Sequence, residues 1–167
     1  MDNTDSVEQL LALLTEQVAQ LDLFDQLLER EYSALQQHRS NDIYAIASEK
    51  GLLAEQLDQT ERAQQQKVTS LATTYGVTPQ LSSLAIVLAS NPLGNKLTAL
   101  ESSLLALIKQ CRQKNQLNGT IINAQQLLTE KTLAILHGQT ATERAKLTYG
   151  RKGKAENITS HHTLAKA

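Results

Sequence analysis

The feature that most constrains this chain is a seven-residue repeat of apolar side chains near its start. The repeat consists of Val7, Leu14, Leu21, Leu28 and Leu35. In an α-helix this spacing draws one narrow apolar stripe, which has to pack against another helix. Leu11, Val18 and Tyr32 form a second line, in which Asp25 is the polar exception. The pattern predicts a long helix over residues 4–37.

A second, less regular helix is predicted over about residues 42–74. Its apolar side chains are Ile43, Ile46, Leu53, Leu57, Val68 and Leu71. The segment "DQTERAQQQK" (58–67) contains almost no apolar residue. Because a polar segment gains little from burial, we expect it to project beyond the main packing.

The segment "YGVTPQ" (75–80) predicts a stop and a restart. Gly76 suits the left-handed position after a helix, Thr78 suits an N-cap, and Pro79 suits a first helical turn. A short apolar helix follows near 79–89. Its apolar content fits either a cover for one end of a bundle or a dimer contact, and the sequence leaves both open.

The third long helix is predicted over about 93–137. Its stripe begins with Leu93, Leu97, Leu100, Leu104, Leu107 and Cys111, and continues as Lys114, Asn118, Ile121, Gln125, Leu128, Thr132 and Ile135. The stripe therefore changes from apolar to mixed at Cys111. The predicted fold is all-α: an antiparallel bundle of three long helices, with the short helix near 79–89 and a flexible C-terminal tail. We assign residues 1–138 to a helical domain and 139–167 to the flexible, basic tail.

Charge is distributed unevenly, although the net charge is only −1. Residues 1–61 hold thirteen acidic and three basic residues, whereas the tail holds two acidic and six basic ones. An acidic helix beside basic ones explains most of this pattern. The tail has one tyrosine and no basic run longer than "RKGK", which argues against nucleic-acid binding. The acidic start and the absence of a long apolar stretch predict a cytoplasmic, soluble protein without stable membrane insertion.

The titratable residues do not form a pattern typical of an enzyme or a metal site. The four histidines have no metal-ligand spacing, and the adjacent pair His161 and His162 is predicted to be solvated. Glu29 and Glu31 are interpreted as a solvated surface, and Cys111 as a plain buried thiol. We therefore expect no catalytic residue, no bound metal and no cofactor.

The segment "KNQLNGTIINAQQLL" (114–128) is unusual for the middle of a helix, because asparagine and glycine are poor helix formers. One interpretation is a register device, since a buried asparagine in a coiled-coil seam fixes alignment at a cost in stability. This interpretation explains Asn118 alone. The other is a groove-like surface for a visiting amphipathic helix. Its predicted residues are Asn115, Leu117, Asn118, Gly119, Ile121, Ile122, Gln125 and Leu128.

Three stretches together resemble the FlgN family of flagellar export chaperones. They are "ASEKGLLAEQLDQTER" (47–62), "KNQLNGTIINAQQ" (114–126) and "LTYGRKGK" (147–154). The second contains the Asn-x-x-Asn-Gly pattern followed by an aliphatic pair, and the third contains Tyr149 and Gly150. Their order and spacing are similar to those of the family over about residues 5–155.

The resemblance implies a chaperone that holds hook-associated proteins 1 and 3 in the cytoplasm before export. Such proteins bind the amphipathic C-terminal segments of these substrates, prevent their self-association and deliver them to the type III export gate. The resemblance assigns docking at the cytoplasmic domain of that gate to Tyr149 and Gly150. Two alternatives remain: a homodimeric adaptor coiled coil without an export role, and a chaperone for another flagellar substrate such as the filament cap.

Overall fold

The computed structural model of the chain describes residues 3–137. Its helices are α1 (Asn3–Gln36), α2 (Ser40–Tyr75), α3 (Leu81–Val87) and α4 (Pro92–Leu136). The predicted all-α class is confirmed within this range, and the predicted short helix exists as α3. Of the described residues, 3–122 belong to one compact unit and 123–137 to a second. The predictions for 139–167 lie outside the described residues.

Side-chain contacts give the direction of α1 relative to α2. Arg30 of α1 contacts Glu49 of α2, with 2.7 Å between guanidinium and carboxylate. Ten residues earlier on α1, Gln20 donates to the Thr60 hydroxyl over 3.1 Å. As the residue number falls along α1 it rises along α2, so the two helices are antiparallel.

Contacts between α1 and α4 show the opposite relation. The Cys111 thiol lies 3.7 Å from the Leu21 carbonyl oxygen, and the Asn118 amide donates to the Leu28 carbonyl oxygen over 2.9 Å. Both pairs are 90 residues apart in the chain. A constant separation means that α1 and α4 run in the same direction and in register over this stretch.

The stripe predicted for α1 is confirmed. Its five repeat residues from Val7 to Leu35 are all buried. On α4 the buried residues Leu97, Leu104, Cys111 and Asn118 also recur every seven positions. Parallel helices that carry the same repeat can pack stripe against stripe, which explains the constant register.

The prediction that residues 58–67 project beyond the packing is wrong. Thr60 and Gln64 are buried in α2, and Thr60 accepts the hydrogen bond from Gln20. The segment stays packed because hydroxyl and amide groups can be buried when they pair with one another. The absence of apolar residues was therefore a poor guide to burial here.

The turns between helices agree with the sequence in part. Gly76 ends α2 with φ 66° and ψ 35°, as its left-handed assignment requires. Thr78 is not the N-cap of α3, since that position belongs to Gln80; instead the Thr78 hydroxyl hydrogen-bonds with Ser83 over 2.6 Å. At the start of α4, the Asn91 side chain accepts from the Leu93 amide over 3.1 Å, ahead of Pro92 in the first turn.

Candidate functional site

Asn118 is the last buried residue of α4 and is only 1% exposed. Its side-chain amide donates to the Leu28 carbonyl oxygen and to the Glu31 carboxylate, each over 2.9 Å. Both amide hydrogens are therefore used within the helical unit. Of the two roles left open by the sequence, this geometry is the one expected of a register device.

Glu31 is a buried carboxylate, not part of a solvated surface as predicted. It is 4% exposed and accepts from the Lys50 ammonium over 2.8 Å as well as from Asn118. A useful signal was its spacing, since Glu31 follows Leu28 by three residues and precedes Leu35 by four. That places it on the inner line of α1, which also contains Leu10, Gln17 and Phe24. Because Glu31 carries a charge, a surface position was predicted for it in spite of this spacing.

Lys50 connects the buried Glu31 carboxylate to Asn115, the exposed first asparagine of the Asn-x-x-Asn-Gly pattern. Its ammonium donates to the Asn115 side-chain oxygen over 3.2 Å and lies 5.9 Å from the centroid of the Phe24 ring. Lys50 and Asn115 belong to the two helical stretches that carry the FlgN resemblance. The structure thus brings those stretches together through a polar contact.

A second polar contact joins α1 and α4 nearby. Lys114 lies 2.8 Å from the Asp25 carboxylate and 2.6 Å from that of Glu29, and Gln110 donates to Asp25 over 3.1 Å. These carboxylates raise the pKa of Lys114, first through the hydrogen bond with Asp25 and then through that with Glu29. Asp25, the polar exception in the predicted second line, therefore pairs with α4.

Other predicted site residues in the first unit face outward to differing extents. Leu117 is 51% exposed, and Asn115 is also exposed. A Cβ atom at Gly119 would meet nothing within 4 Å. Ile121 and Ile122 are partly buried. In this part of α4 the buried Asn118 is preceded by the exposed side chain of Leu117 and followed by Gly119, which has free space beside its Cα.

From Asn123 onward, α4 carries many exposed apolar side chains. Gln125 is partly buried, whereas Leu128 is 66% exposed. The other exposed large apolar residues of this stretch are Leu127, Leu133, Ile135 and Leu136. Exposed apolar groups in such number on a short stretch are typical of interaction surfaces.

Clustered metal ligands and helices able to span a membrane are both absent from the described residues. No group of three or more His, Cys, Asp or Glu that could hold a metal ion occurs within residues 3–137. Cys111 is buried as predicted, and burial raises the pKa of its thiol. No helix in the same range has the length and apolar content needed for a membrane span. Tyr149 and Gly150 lie outside the described residues.

The family profile described as FlgN protein matches residues 1–157 of the chain. The chain belongs to the FlgN family. This confirms the resemblance seen in the sequence and makes the protein a member of a family of flagellar export chaperones. No curated protein and no solved structure gives a match. Membership of this chaperone family implies that the protein binds flagellar substrate proteins.

Proposed function

We propose that this FlgN protein binds the C-terminal amphipathic segments of hook-associated proteins 1 and 3 in the cytoplasm. It prevents their premature self-association and delivers them to the export gate. Three long helices form its scaffold: α1 and α4 run parallel, α2 runs antiparallel to them, and α4 carries the binding surface. The observation that supports this function best is the number of exposed apolar residues on α4, taken together with membership of the family.

A helix-binding surface needs apolar contacts that water can reach when the partner is absent. Leu117 and Leu128 meet this requirement, being 51% and 66% exposed. The open side of Gly119 would let another backbone approach closely. Asn115 adds an exposed amide that can donate and accept hydrogen bonds. We propose direct substrate contacts for these residues and for Ile121, Ile122 and Gln125.

Asn118 is assigned an indirect part in binding, since its amide hydrogens are used by Leu28 and Glu31. A substrate could accept a hydrogen bond from the Asn118 amide nitrogen only by displacing these partners. Folding of an unstructured substrate on the other residues costs ordering entropy, which keeps affinity moderate and allows release at the gate.

The binding surface is tested by calorimetric titration of the full-length protein with a peptide covering the C-terminal segment of hook-associated protein 1 from the same bacterium. We expect saturable binding with a negative heat-capacity change. Leu117→Ala should weaken binding by about tenfold, which corresponds to about 1.4 kcal/mol. No binding at high micromolar concentration would contradict the function and favour the adaptor coiled coil.

A matched control is Leu105→Ala. Leu105 is also an exposed leucine of α4, at 64%, but it precedes Leu117 by twelve residues, which is about 18 Å along the helix axis. We expect its replacement to leave peptide affinity unchanged. A further control is Ala99→Trp, which fills a groove of about 530 Å³ between α1 and α4 that is also lined by Leu11 and Leu100. Loss of peptide affinity in this variant would indicate that the substrate binds in that groove instead.

Docking at the gate is proposed for Tyr149 and Gly150 on the basis of the tail motif. Tyr149→Ala should abolish binding to the purified cytoplasmic domain of the export gate and leave peptide affinity unchanged. Tyr44→Ala is the matched control, because Tyr44 is 82% exposed on α2. Equal effects of the two replacements would contradict a specific role for Tyr149.

Analytical ultracentrifugation over a range of concentrations tests the homodimer alternative.

A further inference from the structure

The three long helices meet at one buried polar cluster made of Glu31, Lys50 and Asn118. Glu31 comes from α1, Lys50 from α2 and Asn118 from α4. The carboxylate lies 2.8 Å from the ammonium and 2.9 Å from the amide nitrogen. Glu31 and Asn118 are 4% and 1% exposed, so water contributes little to their solvation. The members of the cluster must therefore satisfy one another.

The cluster is selective for one alignment of α4 against the other helices. Asn118 must reach two acceptors on α1 at once, the Leu28 carbonyl oxygen and the Glu31 carboxylate. If α4 moved by one heptad towards its C-terminal end, Cys111 would take this place. A thiol cannot replace both amide donors, and a buried charge that loses a hydrogen-bond partner is strongly destabilising. Leucine pairs alone would not penalise such a shift as strongly.

The same alignment determines where the neighbouring residues of α4 point. Leu117 precedes Asn118 directly and is half-exposed, and Gly119 follows it with open space beside its Cα. The Asn115 side chain is held by Lys50. A rotation or shift of α4 at Asn118 would therefore change which residues are presented to a partner.

We propose that the cluster of Glu31, Lys50 and Asn118 is a positioning element that determines which residues of α4 are presented to the substrate. This inference rests on the proposed function and deepens it. The stretches 47–62 and 114–126 act on each other through Lys50, Asn115 and Asn118, and Asn118 affects binding without touching the substrate. The cluster costs stability compared with an apolar layer and provides a unique alignment in return.

The test compares the wild-type protein with Asn118→Leu and with the triple variant Glu31→Leu, Lys50→Met, Asn118→Leu. The triple variant should fold with the same or a higher midpoint of thermal unfolding, because no buried polar group is left unpaired. Its affinity for the hook-associated protein 1 peptide should nevertheless fall by about tenfold. A purely stabilising cluster would not give higher stability together with weaker binding.

The single cysteine provides a second measurement that does not depend on any peptide. Cys111 lies seven residues before Asn118 and packs against the Leu21 carbonyl oxygen. Loss of the fixed alignment should expose its thiol and raise its rate of reaction with 5,5′-dithiobis(2-nitrobenzoate) by about tenfold. Leu97→Val is the matched control, because it weakens packing at the other end of α4 and should change neither the affinity nor the thiol rate.

Wild-type affinity and a wild-type thiol rate in the triple variant would overturn the proposal, as the leucine stripes would then set the alignment alone. A triple variant that fails to fold would overturn it too, since the cluster would be required for folding itself. If the wild-type protein does not bind the peptide, the proposed function fails. The thiol rate then decides separately whether the cluster aligns α4.

Discussion

Lys114 of α4 holds its ammonium 2.8 Å from the Asp25 carboxylate of α1, and Glu29 lies 2.6 Å away on its other side. This pair joins the two parallel helices between the contacts of Cys111 and Asn118. Asp25 places a charge in the apolar pattern of α1 and Lys114 places one in that of α4. The ion pair between them compensates for both. The pair is partly exposed, so its contribution to stability is modest.

Lys114→Met should lower the free energy of unfolding by about 1 kcal/mol, measured by urea denaturation at neutral pH. Because the pKa of Lys114 is raised from 10.5 in the folded protein, its contribution is complete below that pH. It is lost as pH rises through the higher folded value. A difference between wild type and variant that vanished between about pH 7 and 9 would contradict this assignment. Arg62→Met, which breaks a more exposed pair with Asp58, should cost only a few tenths of a kcal/mol.

Two glycines of α4 should respond to alanine in opposite ways. A Cβ at Gly94 would overlap the carbonyl group of Leu88, which is backbone and cannot turn aside. Gly94→Ala should therefore lower the free energy of unfolding by about 2–3 kcal/mol. A Cβ at Gly119 meets nothing within 4 Å, so Gly119→Ala should raise it by about 1 kcal/mol through helix propensity.

The same Gly119→Ala variant separates stability from binding. If Gly119 admits a substrate helix, the variant should be more stable and yet bind the hook-associated protein 1 peptide more weakly. Urea denaturation and calorimetric titration of one preparation measure both quantities. A variant that is more stable and binds with wild-type affinity would remove Gly119 from the proposed contact surface.

Gln17 is a buried amide on the inner line of α1, and its side-chain oxygen has no hydrogen-bond partner among the described residues. Such an unsatisfied polar group is costly, whereas leucine suits the position. Gln17→Leu should raise the free energy of unfolding by about 1 kcal/mol, as measured by urea denaturation. Gln26→Leu, at an exposed site on the same helix, should leave it nearly unchanged. A loss of stability in Gln17→Leu would indicate that the amide is satisfied by water.

The sequence predicted the helices well because their apolar repeats are long. The repeat from Val7 to Leu35 gave α1, and the spacing from Leu97 to Cys111 gave the buried face of α4. Gly76 could be assigned because few other residues tolerate a left-handed conformation. In each case one local property of the residue types was enough.

What could not be predicted were the polar residues inside the packing. Glu31 and Gln17 occupy inner positions of the same repeat, but a charge or an amide normally indicates a surface. Their burial depends on partners that are distant in sequence, such as Lys50 and Asn118 for Glu31. The side-chain roles at the candidate site follow from these long-range pairs, so residue spacing alone left register and docking as equal interpretations of Asn118.

Cys111 offers a direct test of how tightly α4 is held in the native protein. It is the only cysteine of the chain, and burial raises the pKa of its thiol above 9.0. At neutral pH its reaction with 5,5′-dithiobis(2-nitrobenzoate) should be about 100-fold slower than that of the urea-unfolded chain, since the reactive thiolate is rare and shielded. As pH increases, the reaction rate of the native protein should still be rising at a pH where the rate of the unfolded chain has levelled off. Because the neutral thiol is favoured by folding, stability should also decline as pH rises through the folded pKa.

Equal thiol reaction rates for native and unfolded protein at neutral pH would mean that α4 separates readily from α1 near Leu21. That result would contradict a fixed alignment of the two helices.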